Sequence, residues 1–142
     1  MIVVNVFLMP RKRAMFVEFN PNPTGRNNVQ DCAVRAIAKA LDIDWETAYA
    51  KLAMNGYQMG DMPNANSVWG ALLRQNGFYR QSIPDRCPDC YTAEDFCNDY
   101  PKGTYVLGFG NHVATVVDGV LYDSWNSSNE IPQYFWYRRE GY

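Results

Sequence analysis

Between positions 29 and 41, apolar side chains return every three or four residues: Val29, Ala33, Ala36, Ile37, Ala40 and Leu41. That spacing predicts an amphipathic helix with one face turned to a core. The preceding "FNPNPTGRNN" concentrates Asn, Pro and Gly and reads as a loop with several turns. Asp31 or Asn28 can cap the helix, because a polar side chain there accepts from free N–H groups. Asp42 and Asp44 stop this helix and start the next, "DWETAYAKLAMNGY", with Asp44 as cap and Gly56 as end. Trp45, Ala48, Tyr49 and Leu52 fall on one side of it. Beyond the loop "DMPNAN", "NSVWGALLRQNGF" predicts a third helix, opened by Asn66 or Ser67 and closed at Gly77. "YRQSIPDRCPDC" is irregular or a short strand. "TAEDFCNDY" predicts a fourth helix with Thr92 as cap and Asp95 near the capping-box spacing, ended by Pro101 and Gly103.

From Thr104 the period changes to two. "TYVLGF", "HVATVV" and "VLYDSW" read as strands, and "QYFWYR" as a final one. Asp118-Gly119 separates the second run from the third, a strong hairpin signal because both turn positions need φ > 0. Helices first and sheet second is an α+β pattern, with N-terminal helices packed on a C-terminal antiparallel sheet.

At 142 residues and 47% hydrophobic content, one domain with a true core is expected over 15–142. Residues 1–14 form a leader of uncertain order, an extra edge strand or a loose segment. Its apolar run, "MIVVNVFLM", precedes "RKR" instead of following it, lacks a small-residue cleavage site and is too short to span a bilayer. A cytoplasmic location is the expectation. The net charge of −2 gives no reason to expect nucleic acid or an acidic membrane as partner. Four Trp, ten Tyr and seven Phe raise the expectation of a surface groove that grips a partner, with Trp45, Trp69 and Trp136 taken as core.

A reducing cytoplasm makes all four cysteines thiols by default. Cys87, Cys90 and Cys97 offer three ligands where structural zinc takes four, and a redox CxxC should open a helix after a strand, whereas this one sits in a loop with Pro84 and Pro88. No metal or cofactor is expected. Cys32 is different. It falls in the first turn of a helix, where unpaired N–H groups and the dipole favour a thiolate, unless it is a small buried hydrophobe. An imidazolium beside it would add to that effect. His112 is the single histidine of the chain. If Val117 and Val120 flank the hairpin turn, position 112 falls opposite 125, and Asp123 lies on the diagonal that shares its face. Backbones roughly 7–8 Å apart on such a diagonal are bridgeable by an Asp and a His side chain. Asp123 would then set the tautomer and orientation of the ring. The plainer alternatives are a satisfied strand histidine and a turn aspartate. Trp125 is either core or a lid over the pair, and Arg35 pairs with a neighbouring acid.

A cysteine at a helix start, a histidine opening a later strand and an acid on the next strand, in that order, resemble the papain-like cysteine peptidase superfamily. "DSW", residues 123–125, is similar to the Asn-Ser-Trp segment that supplies the third triad member in papain-type enzymes. The bacteriocin-processing peptidases of that superfamily use Asp in this place. The segments "NPNPTGRNNVQDCAVRAIAKAL" and "PKGTYVLGFGNHVATVVDGVLYDSW" also resemble small proteins of bacteriophages and gut bacterial prophages. Together the likeness spans roughly residues 24–126. It implies a papain-like fold, a Cys32–His112–Asp123 triad and an acyl-enzyme formed on a protein or peptide substrate in the host cytoplasm. Papain-type enzymes carry a Gln six residues before the nucleophile as oxyanion donor and a Trp just after it. Arg26 and Ala33 stand there, and Asn27 is the nearest amide. The two functional expectations are a cysteine hydrolase (peptidase, isopeptidase or amidase, with acyl transfer sharing its intermediate) and a catalytically inactive papain-like domain that binds a phage or host protein.

Overall fold

Helix and turn boundaries follow local chemistry at most positions. The computed structural model describes residues 15–138, so the expectations for the leader and for the last four residues lie outside the described residues. In chain order the elements are β1 (Phe16–Glu18), α1 (Cys32–Leu41), α2 (Trp45–Met59), α3 (Asn66–Gln75), β2 (Phe78–Ser82), α4 (Ala93–Asp99), β3 (Thr104–Gly108), β4 (Val113–Val117), β5 (Val120–Asp123) and β6 (Tyr134–Arg138). Asp44 caps α2 by accepting from the Thr47 N–H at 2.7 Å. Thr92 and Asp95 close a reciprocal capping box on α4. Asp118 and Gly119 both adopt positive φ, 49° and 76°, and set the β4–β5 register at Val117↔Val120 and Thr115↔Tyr122.

Three boundaries differ from the pattern. Gly56 does not end α2, which continues to Met59 and stops at Gly60 in the left-handed region. Gly56 is buried, and a Cβ on it would lie 2.7 Å from the Asp61 carbonyl oxygen, so it is small because the returning chain crosses it. Neither Asn66 nor Ser67 caps α3: the Asn66 side chain accepts from Trp69 Nε1 and the Ser67 hydroxyl donates to Asp61. Asp31 holds the cap position of α1, but its side chain makes no capping bond.

The chain is α+β, with the N-terminal helices packed on a mixed, mostly antiparallel sheet of order β1-β5-β4-β3-β6-β2. The expectation of a wholly C-terminal antiparallel sheet is corrected at both edges. β1, from before the helices, pairs parallel with β5, and β2, from between α3 and α4, pairs with β6. Each covers a strand that would otherwise present unpaired backbone groups. At three residues, β1 is too short for a period of two to declare itself.

The sheet separates two cores. On one face, α1, α2 and α3 pack Ile37, Leu52 and Leu73 against Val106, Val113 and Trp136. On the other, α4 packs Phe96 and Cys97 against Leu107, Val116, Leu121 and Phe135. Adjacent residues Val106 and Leu107 serve opposite cores, as strand alternation requires. One polar contact aligns α1 with β4: the fully buried Thr115 hydroxyl donates to the Ala36 carbonyl at 2.7 Å.

The expectation of four free thiols is also corrected. The CPDC turn brings the Cα atoms of Cys87 and Cys90 to 4.1 Å, and the two are bonded. Cys97 is buried, and burial, together with the charge of Glu94, pushes its thiol up to about 11. Among the described residues, no group of three or more His, Cys, Asp or Glu is placed to hold a metal ion. No described helix is long and apolar enough to cross a membrane.

Candidate active site

Cys32 is the first residue of α1, and its thiol is partly exposed. Helix N-termini leave their first N–H groups without intrahelical partners, so the sulfur sits beside unpaired donors and the positive end of the dipole. His112 immediately precedes β4, and the Thr115–Ala36 bond holds that strand against the helix. The imidazole engages two groups. Its Nε2 lies 2.6 Å from Asp123 Oδ2, and Cys32 is near enough to its ring to help raise its pKa. The hairpin therefore delivers the diagonal His–Asp contact that its register demands.

Asp123 is buried and fully engaged. Ser127 donates its hydroxyl to Oδ2 at 2.6 Å, and the Ser124 N–H donates to Oδ1 at 2.7 Å. A carboxylate held by donors on both oxygens cannot rotate away from the ring it orients. Trp125 is not core. It stands 46% exposed with its ring centroid 5.0 Å from that of His112, a lid over the pair. Phe109 lies on the imidazole as well, at 5.7 Å.

Burial disfavours a charged imidazole, but the hydrogen bonds and charges of Asp123 and Cys32 outweigh it, and the pKa of His112 is pushed up to about 9. The ordinary value is 6.5. A folded pKa raised above the unfolded one contributes stability that is complete below pH 6.5 and lost as pH rises through about 9. The stability gap between the wild type and His112→Gln, read from urea unfolding, is expected to be wide at pH 6 and to narrow by pH 9.5. A gap independent of pH would contradict the ion-pair arrangement.

Comparison of the chain with family models, curated proteins and solved structures finds no match. The site is accordingly read from its own geometry. Cys32, His112 and Asn27 line one cavity of about 490 Å³, together with Asn64, Trp69 and Trp125. The Asn27 side-chain oxygen Oδ1 accepts from Asn20 Nδ2 at 2.8 Å, which leaves its amide N–H groups for other partners. Arg26 does not line this cavity; its carbonyl accepts from Arg35 Nη2 at 3.0 Å. Of the two residues at the head of "RNN", Asn27 and not Arg26 lines the cavity that Cys32 lines.

Two supporting groups are invisible to motif reading. Ser127 was one more polar residue in "DSWNSS", yet it is fully buried beneath Asp123. Asp31, read as a cap, is the hub of the loop in front of the cysteine. Its carboxylate pairs with Arg35 Nε at 2.7 Å and accepts from Asn22 Nδ2 at 3.0 Å and Trp45 Nε1 at 2.9 Å. The i, i+4 spacing of Asp31 and Arg35 was the available signal for the pair.

Proposed function

We propose that this chain is a papain-like cysteine hydrolase acting on a peptide, isopeptide or related amide bond of a protein or peptide substrate. The observation that carries the reading is the imidazole that lines one cavity with Cys32 and is bonded to a buried, immobilised carboxylate. A nucleophile–base–orienter relay needs the base held by its orienter in this way.

In this reading the Cys32 proton passes to His112 and the sulfur attacks the carbonyl carbon. The developing oxyanion accepts from the Cys32 backbone N–H and the Asn27 side-chain amide. The tetrahedral intermediate collapses, His112 returns its proton to the departing amine, and an acyl-thioester remains on Cys32. Water, deprotonated by His112, then attacks the thioester; the acid leaves and the thiol is regenerated. Asp123 stabilises the imidazolium at each stage without taking its proton. The reading puts a phage-encoded protein in a bacterial cytoplasm, as the likeness of its segments implies, where the Cys87–Cys90 bond is open to reduction.

The test is labelling of the full chain with a peptidyl acyloxymethyl ketone, read by intact mass and peptide mapping. One adduct is expected, on Cys32, and none in Cys32→Ala. An unlabelled Cys32 in folded protein would sink the hydrolase reading and favour an inactive binding domain.

A further inference from the structure

At the β2–β6 edge the sheet carries a row of arginines on its helix-facing side. Phe78 and Arg80 of β2 share that side with Tyr134, Trp136 and Arg138 of β6, since Phe78 and Trp136 both enter the core beneath α1–α3 and strand residues alternate. We propose that this row is a docking site for an acidic, extended segment of the protein on which the chain acts. This rests on the hydrolase reading above.

Three observations point to that occupant. First, the cations are regularly spaced and uncompensated. Arg80 lies over the Tyr134 ring at 4.0 Å from its centroid, Arg74 of α3 over Trp136 at 5.0 Å and Arg138 over Phe78 at 4.8 Å. The register pairs Ser82 with Tyr134, Arg80 with Trp136 and Phe78 with Arg138. The three rings therefore stand on successive rows two residues apart, roughly 7 Å, the interval at which an extended peptide repeats its same-side side chains. A guanidinium laid on a ring keeps its in-plane N–H donors, which fit a carboxylate bidentately. The ion pairs among the described residues are Arg35–Asp31 and His112–Asp123, so none of the three arginines has one. Second, the cavity of about 250 Å³ between α3 and this edge is rich in donors. Arg74 and Arg80 line it, Asn66 has spent its side-chain oxygen on Trp69 Nε1, and Trp136 Nε1 is buried without an acceptor. No described carboxylate lines it, Asp61 being bonded to Ser67 outside the lining. Third, Asn66 and Trp69 line the catalytic cavity too, so a peptide docked here leads toward Cys32.

The rings that seat the arginines are themselves held. Tyr134 lies across Gly108, in space that a Cβ would fill, and Gly70 admits Trp136, whose Cζ2 is 3.0 Å from where a Cβ would stand. Trp69 lies nearly parallel to Tyr134, with 12° between the planes. The phosphates of single-stranded nucleic acid carry the same charge as carboxylates, but its bases bind by stacking on open ring faces. Phe78, Tyr134 and Trp136 already have guanidinium groups on theirs. Carboxylate side chains need only the guanidinium edges.

The experiment follows fluorescence anisotropy of a labelled octapeptide of alternating Glu and Ala with the full chain. An octapeptide of alternating Gln and Ala and a single-stranded oligothymidylate serve as comparisons. The Glu peptide is expected to bind about tenfold or more tightly than the Gln peptide at low salt, and to weaken as salt is added. Arg74→Gln and Arg80→Gln should each weaken it about threefold to fivefold, and the double variant about tenfold. Iodoacetamide should label Cys32 in all of them at the wild-type rate, which shows that the fold and thiol are intact. Saturating Glu peptide should also slow labelling of Cys32 by the peptidyl ketone. Equal affinity for the Glu and Gln peptides, or affinity unchanged in both single variants, would overturn the docking site. Tighter binding of the oligothymidylate would assign the row to nucleic acid instead. Ketone labelling unaffected by bound peptide would separate the row from the cleft and overturn its part in substrate docking. Arginine-dependent binding of the Glu peptide to a chain whose Cys32 the ketone never labels would sink the hydrolase reading alone.

Discussion

Replacing His112 with alanine is expected to slow iodoacetamide alkylation of Cys32 at pH 6 about two- to fivefold. An ordinary thiol, with a pKa of about 8.5, is ionised in roughly three molecules per thousand at that pH. An imidazolium beside the sulfur raises that fraction, by at most about 300-fold. Part of that gain is lost, because a more stabilised thiolate is a weaker nucleophile, with a Brønsted slope of about 0.4–0.5. The net advantage is therefore smaller than the ionisation ratio, yet still large enough to measure. The pH profile carries a second signature. Wild-type labelling should depend less steeply on pH than the variant's, since His112 stays protonated until about pH 9 and its charge favours the reactive form. The variant should instead climb tenfold per unit until its free thiol ionises. Cys97 is the internal control: it is buried, its thiol pushed up to about 11, and it should stay unlabelled in both proteins. Equal rates for wild type and variant at pH 6 would mean that the imidazole does nothing to the sulfur.

The second large effect concerns stability. Asp31→Leu is expected to cost about 3–5 kcal/mol, because breaking a buried ion pair from one side strands the other charge. Arg35 is only 5% exposed and lies on the buried face of α1, so it cannot turn to solvent without disturbing the helix. Asn22 and Trp45 lose an acceptor at the same time. For a domain of this size the loss corresponds to a fall in Tm of about 10–15 °C. Removing both charges in Asp31→Leu/Arg35→Met should recover much of it, since a buried pair rarely outperforms apolar residues of similar volume. Differential scanning calorimetry of wild type, both single variants and the double variant measures the coupling directly. A single-variant cost below about 1 kcal/mol would place Asp31 among ordinary surface carboxylates. Because Asp31 precedes Cys32 and anchors the loop that carries Asn27, peptidyl-probe labelling should fall in the single variant even at temperatures where it remains folded.

Much of the candidate site was legible because it depends on short-range rules. A cysteine at a helix start is a matter of apolar spacing after a Gly- and Asn-rich loop. The His112–Asp123 contact is a matter of register, and register follows from the Asp118-Gly119 turn, whose positive φ values leave one way to pair the flanking strands. The capping chemistry of Asp44 and Thr92 acts within four residues and was equally readable. Where reading failed, a distant group had intervened. Gly56 looked like a helix end because glycine usually is one; it is a helix interior crossed by the Asp61 carbonyl. Asp31 looked like a cap because Asp before a helix usually is one; Arg35, Asn22 and Trp45 outcompete the helix N–H groups for its oxygens. Trp125, which core or lid would both have explained, is decided by the packing of the strand ends around His112.

By itself the sequence determined the helices, the hairpin and the pairing of His112 with Asp123 near the start of α1, because each rests on dihedral preferences or periodicities that span a few residues. Only the tertiary structure decided that β1 and β2 close the sheet edges, that Cys87 and Cys90 are bonded, that Ser127 pins Asp123, and that Asn27 rather than Arg26 faces the cleft. Each of those outcomes requires two segments far apart in the chain, or a tight turn, to meet in space. The pairing that results is selected by burial and hydrogen-bond satisfaction across the whole fold, which no local pattern encodes.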